Sequence, residues 1–166
     1  MNTGQSLFTI GALLLLSLTV LRVNNSILVT DNILQDSKLG VLATSVATSL
    51  MEEASKKAFD EGSVDDAVLD VSALTAAGDL HYDSGEDPDD SETFDDFDDY
   101  NGYIQQDTIN TIDYSIACTV SYVDPDNIDG TTTIKTWHKK ITVTVTSSFY
   151  KDPLTFSTIY SYWHFR

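Results

Sequence analysis

The sequence has little positive charge and a single cysteine, and each shortage argues against a class of protein. Nine lysines and arginines stand against 26 aspartates and glutamates, giving a formal net charge of −17. Without a basic surface to displace counterions from phosphates, the chain is not expected to bind nucleic acid. The one cysteine, Cys118, cannot form an intrachain disulfide, and no Cys/His cluster has zinc-ligand spacing. Cations and basic surfaces are therefore the more plausible partners.

Sequence signatures of catalysis are also missing. There is no GxSxG motif, no phosphate-binding glycine loop and no nucleophile with an obvious partner. The three histidines, His81, His138 and His164, are far apart and are interpreted as ordinary surface or sheet residues. Cys118 lies in an alternating stretch, which favours a small buried core residue over a reactive thiol. The chain is not predicted to be an enzyme, and a tethered hydrolase is kept only as a distant alternative.

Charge is absent from the N-terminal segment between Leu7 and Leu21. This stretch is shorter than the run of about 20 apolar residues that usually spans a bilayer. A secretory signal peptide also has a short apolar core, but no lysine or arginine precedes this one and no small-x-small cleavage site follows it. Arg22 ends the uncharged run, and the apolar periodicity then continues.

No proline interrupts residues 1–62, and apolar residues recur at helical spacing in the second half of that region. The residues of this stripe are Leu39, Leu42, Val46, Leu50, Ala54 and Ala58. We predict a tip at residues 1–6 and one helix over 7–61, interrupted at most near Asn24–Ser26 and Gly40. A helix of that size is about 85 Å long, whereas a domain of the remaining residues has a radius of gyration near 13 Å. Its first half therefore needs other partners, either lipid around a single-pass anchor or copies of the same chain.

The remaining residues, 62–166, are predicted to form a globular head. Ten of the seventeen residues from Asp83 to Asp99 are acidic, so 83–103 is interpreted as a loop. Alternating residues from 107 to 166 predict three antiparallel strands, with turns at Asp124–Gly130 and Lys151–Pro153. The fold class is thus α+β, a long N-terminal helix whose C-terminal half packs on a C-terminal antiparallel sheet.

This order of segments resembles the type IV pilin and pseudopilin superfamily over the whole chain. Gly4, followed by Gln5 and an uncharged apolar run, resembles a prepilin-peptidase site with the cut after Gly4. Thr9 stands where the family usually has a glutamate, so it offers only a neutral hydrogen bond to a neighbouring copy. The helix-bending proline of the family is absent, and Asn24–Ser26 is the predicted place for local unwinding in a filament.

The resemblance implies a structural subunit of an extracellular type IV pilus-like filament, held in the inner membrane before assembly. Its partners would be copies of itself, a prepilin peptidase and the pilus assembly machinery. The predicted filament core consists of Leu7, Phe8, Thr9, Ile10, Leu13, Leu14, Leu16, Leu18, Val20 and Leu21. A minor pilin, a pseudopilin or a membrane-tethered binding module at the cell surface is the alternative.

The acidic loop carries two interpretations. One is a solvated surface; the other is a calcium site, because a hard cation with several oxygen ligands relieves the repulsion between carboxylates. The candidate ligands are Asp95, Asp96, Asp98, Asp99 and Asn101. Their spacing does not match an EF-hand, and the stretch Phe94–Gly102 is similar to an acidic motif of minor-pilin-like proteins. The C-terminal aromatic residues are interpreted as sheet packing, with a carbohydrate-binding patch as the alternative.

Overall fold

The computed structural model describes residues 2–109, 112–148 and 152–165. Helix α1 runs over Thr3–Ala54 and precedes five strands, which are β1 (Ile104–Ile109), β2 (Ile112–Asp124), β3 (Asn127–Thr132), β4 (His138–Ser147) and β5 (Leu154–Ser161). The chain divides into two compact units, residues 1–41 and residues 42–166. The predicted α+β class is confirmed, with a long N-terminal helix and an antiparallel sheet.

Helix α1 is continuous through Asn24–Ser26 and Gly40, so neither predicted interruption is present. It ends at Ala54, before the predicted end at residue 61. The chain leaves the helix because the N–H groups of Lys56 and Lys57 turn to the carbonyls three residues earlier. The N–H of Ala58 then donates to the carbonyl of Asp95 at 3.0 Å, in an isolated parallel bridge. Pairing with the acidic loop therefore replaces the last helical turn.

The C-terminal part of α1 packs on the head through a face rich in alanine. Ala43, Ala47, Leu50 and Ala54 are buried, whereas the predicted stripe residues Leu42 and Val46 are half-buried. The hydroxyl of Tyr160 on β5 donates to the carbonyl of Met51 at 3.0 Å. Of the predicted stripe, Leu39, Leu50 and Ala54 are buried. Ala43 and Ala47 are buried in place of the two half-buried residues, and their small side chains bring the helix backbone close to its neighbours.

Strands β2 and β4 form the centre of the sheet, as the alternating pattern predicts. The strand order is β1-β2-β4-β5, all antiparallel, and Cys118 on β2 stands opposite Val143 on β4. On β4 the residues Ile141, Val143 and Val145 are buried. The inward face of β2 consists of Tyr114, Ile116, Cys118, Val120 and Tyr122, all buried.

Two strands were not predicted. Strand β1 pairs with β2 at the edge of the sheet, and its central residues, Gln105 to Thr108, are polar. Strand β3 pairs with the end of β2, where Tyr122 faces Thr132, so the predicted turn at Asp124–Gly130 is shorter than expected. The other predicted turn includes Lys151, which lies outside the described residues. Within the described part of the chain the sheet therefore has five strands, of which three were predicted.

The connection between α1 and the sheet contains two short 3-10 turns, Glu61–Ser63 and Val71–Ala73. Asp60 caps the first turn and binds the backbone just after the second. Its carboxylate accepts hydrogen bonds from the N–H groups of Gly62, at 3.1 Å, and Thr75, at 2.9 Å. Gly62 is required here because a Cβ would lie 2.9 Å from the carbonyl oxygen of Ala73.

Candidate functional site

The first part of α1 presents an apolar surface to its surroundings. The apolar residues predicted to form a filament core are all exposed, from 51% at Val20 to 80% at Phe8. Leu15, which the prediction omitted, belongs to the same surface and is 68% exposed. A monomeric soluble protein rarely exposes a contiguous apolar patch larger than a few hundred Å², so this surface marks a contact with lipid or protein.

Helix α1 is long and apolar enough to cross a membrane by length and composition, and none of its most apolar 18-residue window is buried. A membrane anchor and a signal sequence share this composition. The apolar surface nevertheless continues beyond Arg22. Its further members are Val23, Ile27, Leu28, Val29, Ile33, Leu34 and Val41, each more than half exposed.

The residues of the predicted processing site lie in the first turns of α1. Gly4 and Gln5 are helical and exposed, and space is open around the position that a Cβ of Gly4 would take. The hydroxyl of Thr9 donates to the carbonyl of Ser6 at 2.9 Å, within its own helix. The hydroxyl proton of Thr9 therefore already has an acceptor within its own helix.

The acidic loop is only partly a solvated surface. Its first half is exposed, including Asp87, Asp89 and Asp90, as the simpler interpretation expects. The second half turns inward, and Asp96, Asp98 and Asp99 are each at most 2% exposed. Phe94, Phe97 and Tyr100 carry the chain inward, because burying an aromatic side chain stabilises the head by about 1.5–3 kcal/mol.

Lys139 is the buried cation that these acids face. Its ammonium lies 2.7 Å from a carboxylate oxygen of Asp60 and also contacts the carboxylate of Asp98. It donates as well to the carbonyl of Phe59 at 3.0 Å and lies 4.7 Å from the centre of that ring. The side chain is fully buried, so the pair with Asp60 and Asp98 is shielded from water on every side. Asp98, a predicted calcium ligand, is thus bound to a lysine.

Asp96 and Asp99 fold the loop by accepting backbone hydrogen bonds. Asp96 accepts from the N–H groups of Asp98 and Asp99, and Asp99 accepts from those of Asp95 and Asp96. One carboxylate oxygen of Asp96 and one of Asp98 have no hydrogen-bond partner among the described residues. Asn101 donates to the carbonyl of Leu80 and accepts from the N–H of Val120, so both ends of its amide are engaged.

One group of carboxylates has the arrangement of a cation site. Oxygens of Glu86, Asp95 and Asp99 all lie within 4.8 Å of one another. Asp95 and Asp99 are among the predicted calcium ligands, whereas Glu86 is not. Glu86 lies nine positions before Asp95, outside the short acidic stretch from which the ligands were predicted. Glu86 is held in place by the N–H groups of Asp83, at 2.6 Å, and Asp95, at 3.1 Å. Three convergent carboxylates suit a hard cation such as Ca²⁺.

Burial and mutual repulsion raise the pKa values of this region. Burial, with the charges of Asp98 and Asp99 added, raises the pKa of Asp96 to about 9. Burial raises the pKa of Asp98 to about 7 although Lys139 opposes it, and burial raises that of Asp99 to about 7 although the backbone N–H of Asp96 opposes it. The pKa of Asp95 is also raised, mainly by burial and secondly by the negative charge of Glu86. The loop therefore holds protons at neutral pH that exposed aspartates would have lost.

Other candidate side chains have structural roles. Cys118 is 1% exposed, and burial raises the pKa of its thiol to about 12, as a core residue requires. The Nδ1 atom of His138 lies 2.7 Å from the hydroxyl of Ser161, and the side chain of His164 lies outside the described residues. Tyr162 packs against Phe59 and Trp137, whereas Trp163 is 59% exposed.

Two surfaces therefore remain as candidates, the apolar surface of α1 and the group formed by Glu86, Asp95 and Asp99. Comparisons of the chain with protein-family models, with curated proteins and with solved structures give no match.

Proposed function

We propose that this protein is a structural subunit of an extracellular type IV pilus-like filament, which assembles by burying the exposed part of α1 among copies of itself. The observation that carries the proposal is an apolar helix surface that extends from Leu7 to Val41 and finds no cover within its own unit. Burying one apolar side chain contributes roughly 1.5–3 kcal/mol to the stability of the buried state. A monomer that exposes this whole surface to water is therefore unfavourable relative to an assembly that covers it.

Lipid accounts for only part of this surface. Residues 3–41 of α1 span about 58 Å at 1.5 Å per residue, whereas the hydrocarbon core of a bilayer is about 30 Å thick. A span that places Leu7–Leu21 in lipid leaves Ile27, Leu28 and Ile33 in water, and these are 52%, 61% and 59% exposed. Helices of neighbouring copies supply an apolar cover outside the bilayer, and a filament supplies them to every subunit.

Assembly of helices out of lipid depends on close packing, because lipid tails are as apolar as leucine. Gly11 is suited to this, since nothing lies within 4 Å of the position that its Cβ would take. In the proposed pathway the subunit first rests in the inner membrane, a prepilin peptidase cuts after Gly4, and the assembly machinery then extracts it. The exposed position of Gly4 and Gln5 on the first turns of the helix is compatible with such a cut.

The test is electron microscopy of purified surface fibres, with the chain traced from its first residue. Ile27→Asp should abolish fibres while the protein still fractionates with the membrane, because Ile27 lies beyond Arg22 and outside the predicted span. Leu69→Asp is the matched control, because Leu69 is 84% exposed on the head unit. If Ile27→Asp assembles as well as Leu69→Asp, or if the unaltered chain stays a membrane monomer, the proposal is wrong.

A second candidate is a minor pilin or tethered surface-binding module, favoured by the grouping of Glu86, Asp95 and Asp99 on the head. In this alternative the head acts as a ligand-binding element, and calcium would organise it. The two functions differ in stoichiometry. Fibres composed mainly of this chain support the structural subunit, whereas trace amounts in fibres of another protein support the minor component.

A further inference from the structure

The exposed part of α1 carries charges whose positions on the helix are complementary. Arg22 ends the uncharged segment, and the next charged residue is Asp31, nine positions later. Both residues are exposed, and within residues 2–109, 112–148 and 152–165 their side chains make no ion pair. A guanidinium enclosed between apolar helices is costly unless a carboxylate pairs with it. Arg22 therefore needs an acidic partner from outside its own chain once this surface is covered.

Helix geometry puts these two charges on opposite sides. At 3.6 residues per turn, nine positions correspond to a rotation of about 180° around the axis. Lys38 lies seven positions beyond Asp31, only about 20° from it around the axis. Asp36 lies fourteen positions beyond Arg22, which places it within about 40° of Arg22. Each of the two opposite sides thus carries one cation and one anion.

We propose that Arg22 of one copy pairs with Asp31 of the next, and that this pair sets the axial stagger between neighbouring helices. The inference rests on the proposed filament and specifies its partner surface. Bringing the two residues level requires a shift of nine positions, or about 14 Å along the axis. At this stagger, Lys38 of the next copy lies about 10 Å along the axis from both Arg22 and Asp36 of the first copy. The facing sides of the two helices therefore bring no like charges to the same level.

This pairing propagates because the two residues occupy different sides of one helix. Each copy offers Arg22 to a neighbour on one side and Asp31 to a neighbour on the other. Such a contact joins unlike surfaces, and it continues into an open fibre unless the rotation closes a ring. A symmetric dimer, by contrast, would leave one member of the pair unused on each chain.

A charge-reversal experiment on the full chain tests the pair. The chain is purified in detergent, the detergent is removed in about 50 mM salt, where screening is weak, and fibres are measured by sedimentation and negative-stain microscopy. Arg22→Asp and Asp31→Arg should each raise the lowest protein concentration that gives fibres by roughly tenfold or more, as expected for a like-charge contact at a desolvated site. The double variant should return that concentration to within about threefold of the unaltered chain, because the pair is restored in reverse.

The control is Lys38→Asp, which makes the same kind of charge change on the side that carries Asp31. Combined with Asp31→Arg, it should not restore assembly. The pair is ruled out if Lys38→Asp rescues Asp31→Arg, or if Arg22→Asp does not, while the unaltered chain forms fibres. Those results would contradict the pair but not the proposed filament. If the unaltered chain forms no fibres either in this assay or at the cell surface, where the proposed peptidase and assembly machinery act, the proposed function and the pair both fail.

Discussion

Replacing Lys139 with methionine tests whether the buried charges hold the head together. Methionine keeps most of the length and apolar character of the lysine stem but removes the ammonium. The substitution leaves Asp60 without the cation 2.7 Å from its carboxylate, and it removes the ammonium that contacts the carboxylate of Asp98. It also leaves the carbonyl of Phe59 without the donor at 3.0 Å. Both carboxylates stay buried, so water does not replace the lost partner.

The expected loss is large for a single side chain. Removing one partner of a buried ion pair costs about 3–5 kcal/mol, because the remaining charge is left uncompensated. A domain of this size has a total stability of about 5–15 kcal/mol. At about 4 °C per kcal/mol, the melting temperature of the head should fall by about 12–20 °C.

The assay is near-ultraviolet circular dichroism of the full chain in detergent during heating. Trp137, which packs against Tyr162, reports on the head, whereas the far-ultraviolet signal is dominated by α1. Lys140→Met is the matched control, because Lys140 donates to the exposed carbonyl of Asp129 and the loss of this hydrogen bond should cost less than about 1.5 kcal/mol. The effect of Lys139→Met should also be smaller at pH 5 than at pH 8. Lys139 holds down the pKa of Asp98, so without it this carboxyl takes up a proton more readily in mild acid. Equal melting temperatures for the Lys139 and Lys140 variants would refute the reasoning.

Three further predictions concern the acidic loop and the helix. Because the pKa of Asp96 is raised to about 9 in the folded head, against about 4 when unfolded, its contribution is fully present below pH 4 and is lost as pH rises toward 9. Urea midpoints should therefore fall between pH 5 and pH 9, and Asp96→Asn should flatten that slope; a slope of opposite sign would contradict the burial argument. Ala47→Leu should destabilise the head by about 1–3 kcal/mol through overpacking, whereas Thr48→Leu on the exposed side should change stability by less than about 0.5 kcal/mol in urea titrations. Millimolar Ca²⁺ should raise the melting temperature relative to chelator, Glu86→Gln should remove that rise and exposed Glu92→Gln should keep it; an unchanged midpoint in the unaltered chain would rule out the site.

The parts of the fold with strong periodicity were predictable from the sequence. The alternation of Ile141, Val143 and Val145 with threonines predicted β4 because a half-buried strand has period two. Strand β1 was not predicted, because it is an edge strand without alternating apolar residues. Its centre consists of Gln105, Gln106 and Asp107. The end of α1 was not predicted correctly, because it depends on the pairing of Ala58 with the acidic loop, which is distant in sequence.

The contacts between buried charges were harder to predict from the sequence. Lys139 was not singled out in the sequence, although it lies two residues before Ile141 and shares the inward face of β4 with Ile141 and Val143. Its partner Asp98 is 41 positions away, among ten acids of similar local context, and nothing local distinguishes the paired one. The same holds for Glu86, whose approach to Asp95 and Asp99 depends on how the loop folds back.

The position of Cys118 makes the native thiol a reporter of opening events. It lies in the middle of β2, and its N–H donates to the carbonyl of Tyr103 at 2.9 Å. An alkylating reagent meets this thiol only after the packing over the inward face of β2 opens. The rate of labelling, followed by mass spectrometry, therefore measures how often the core of the head opens, with no engineered probe, in monomer and fibre alike.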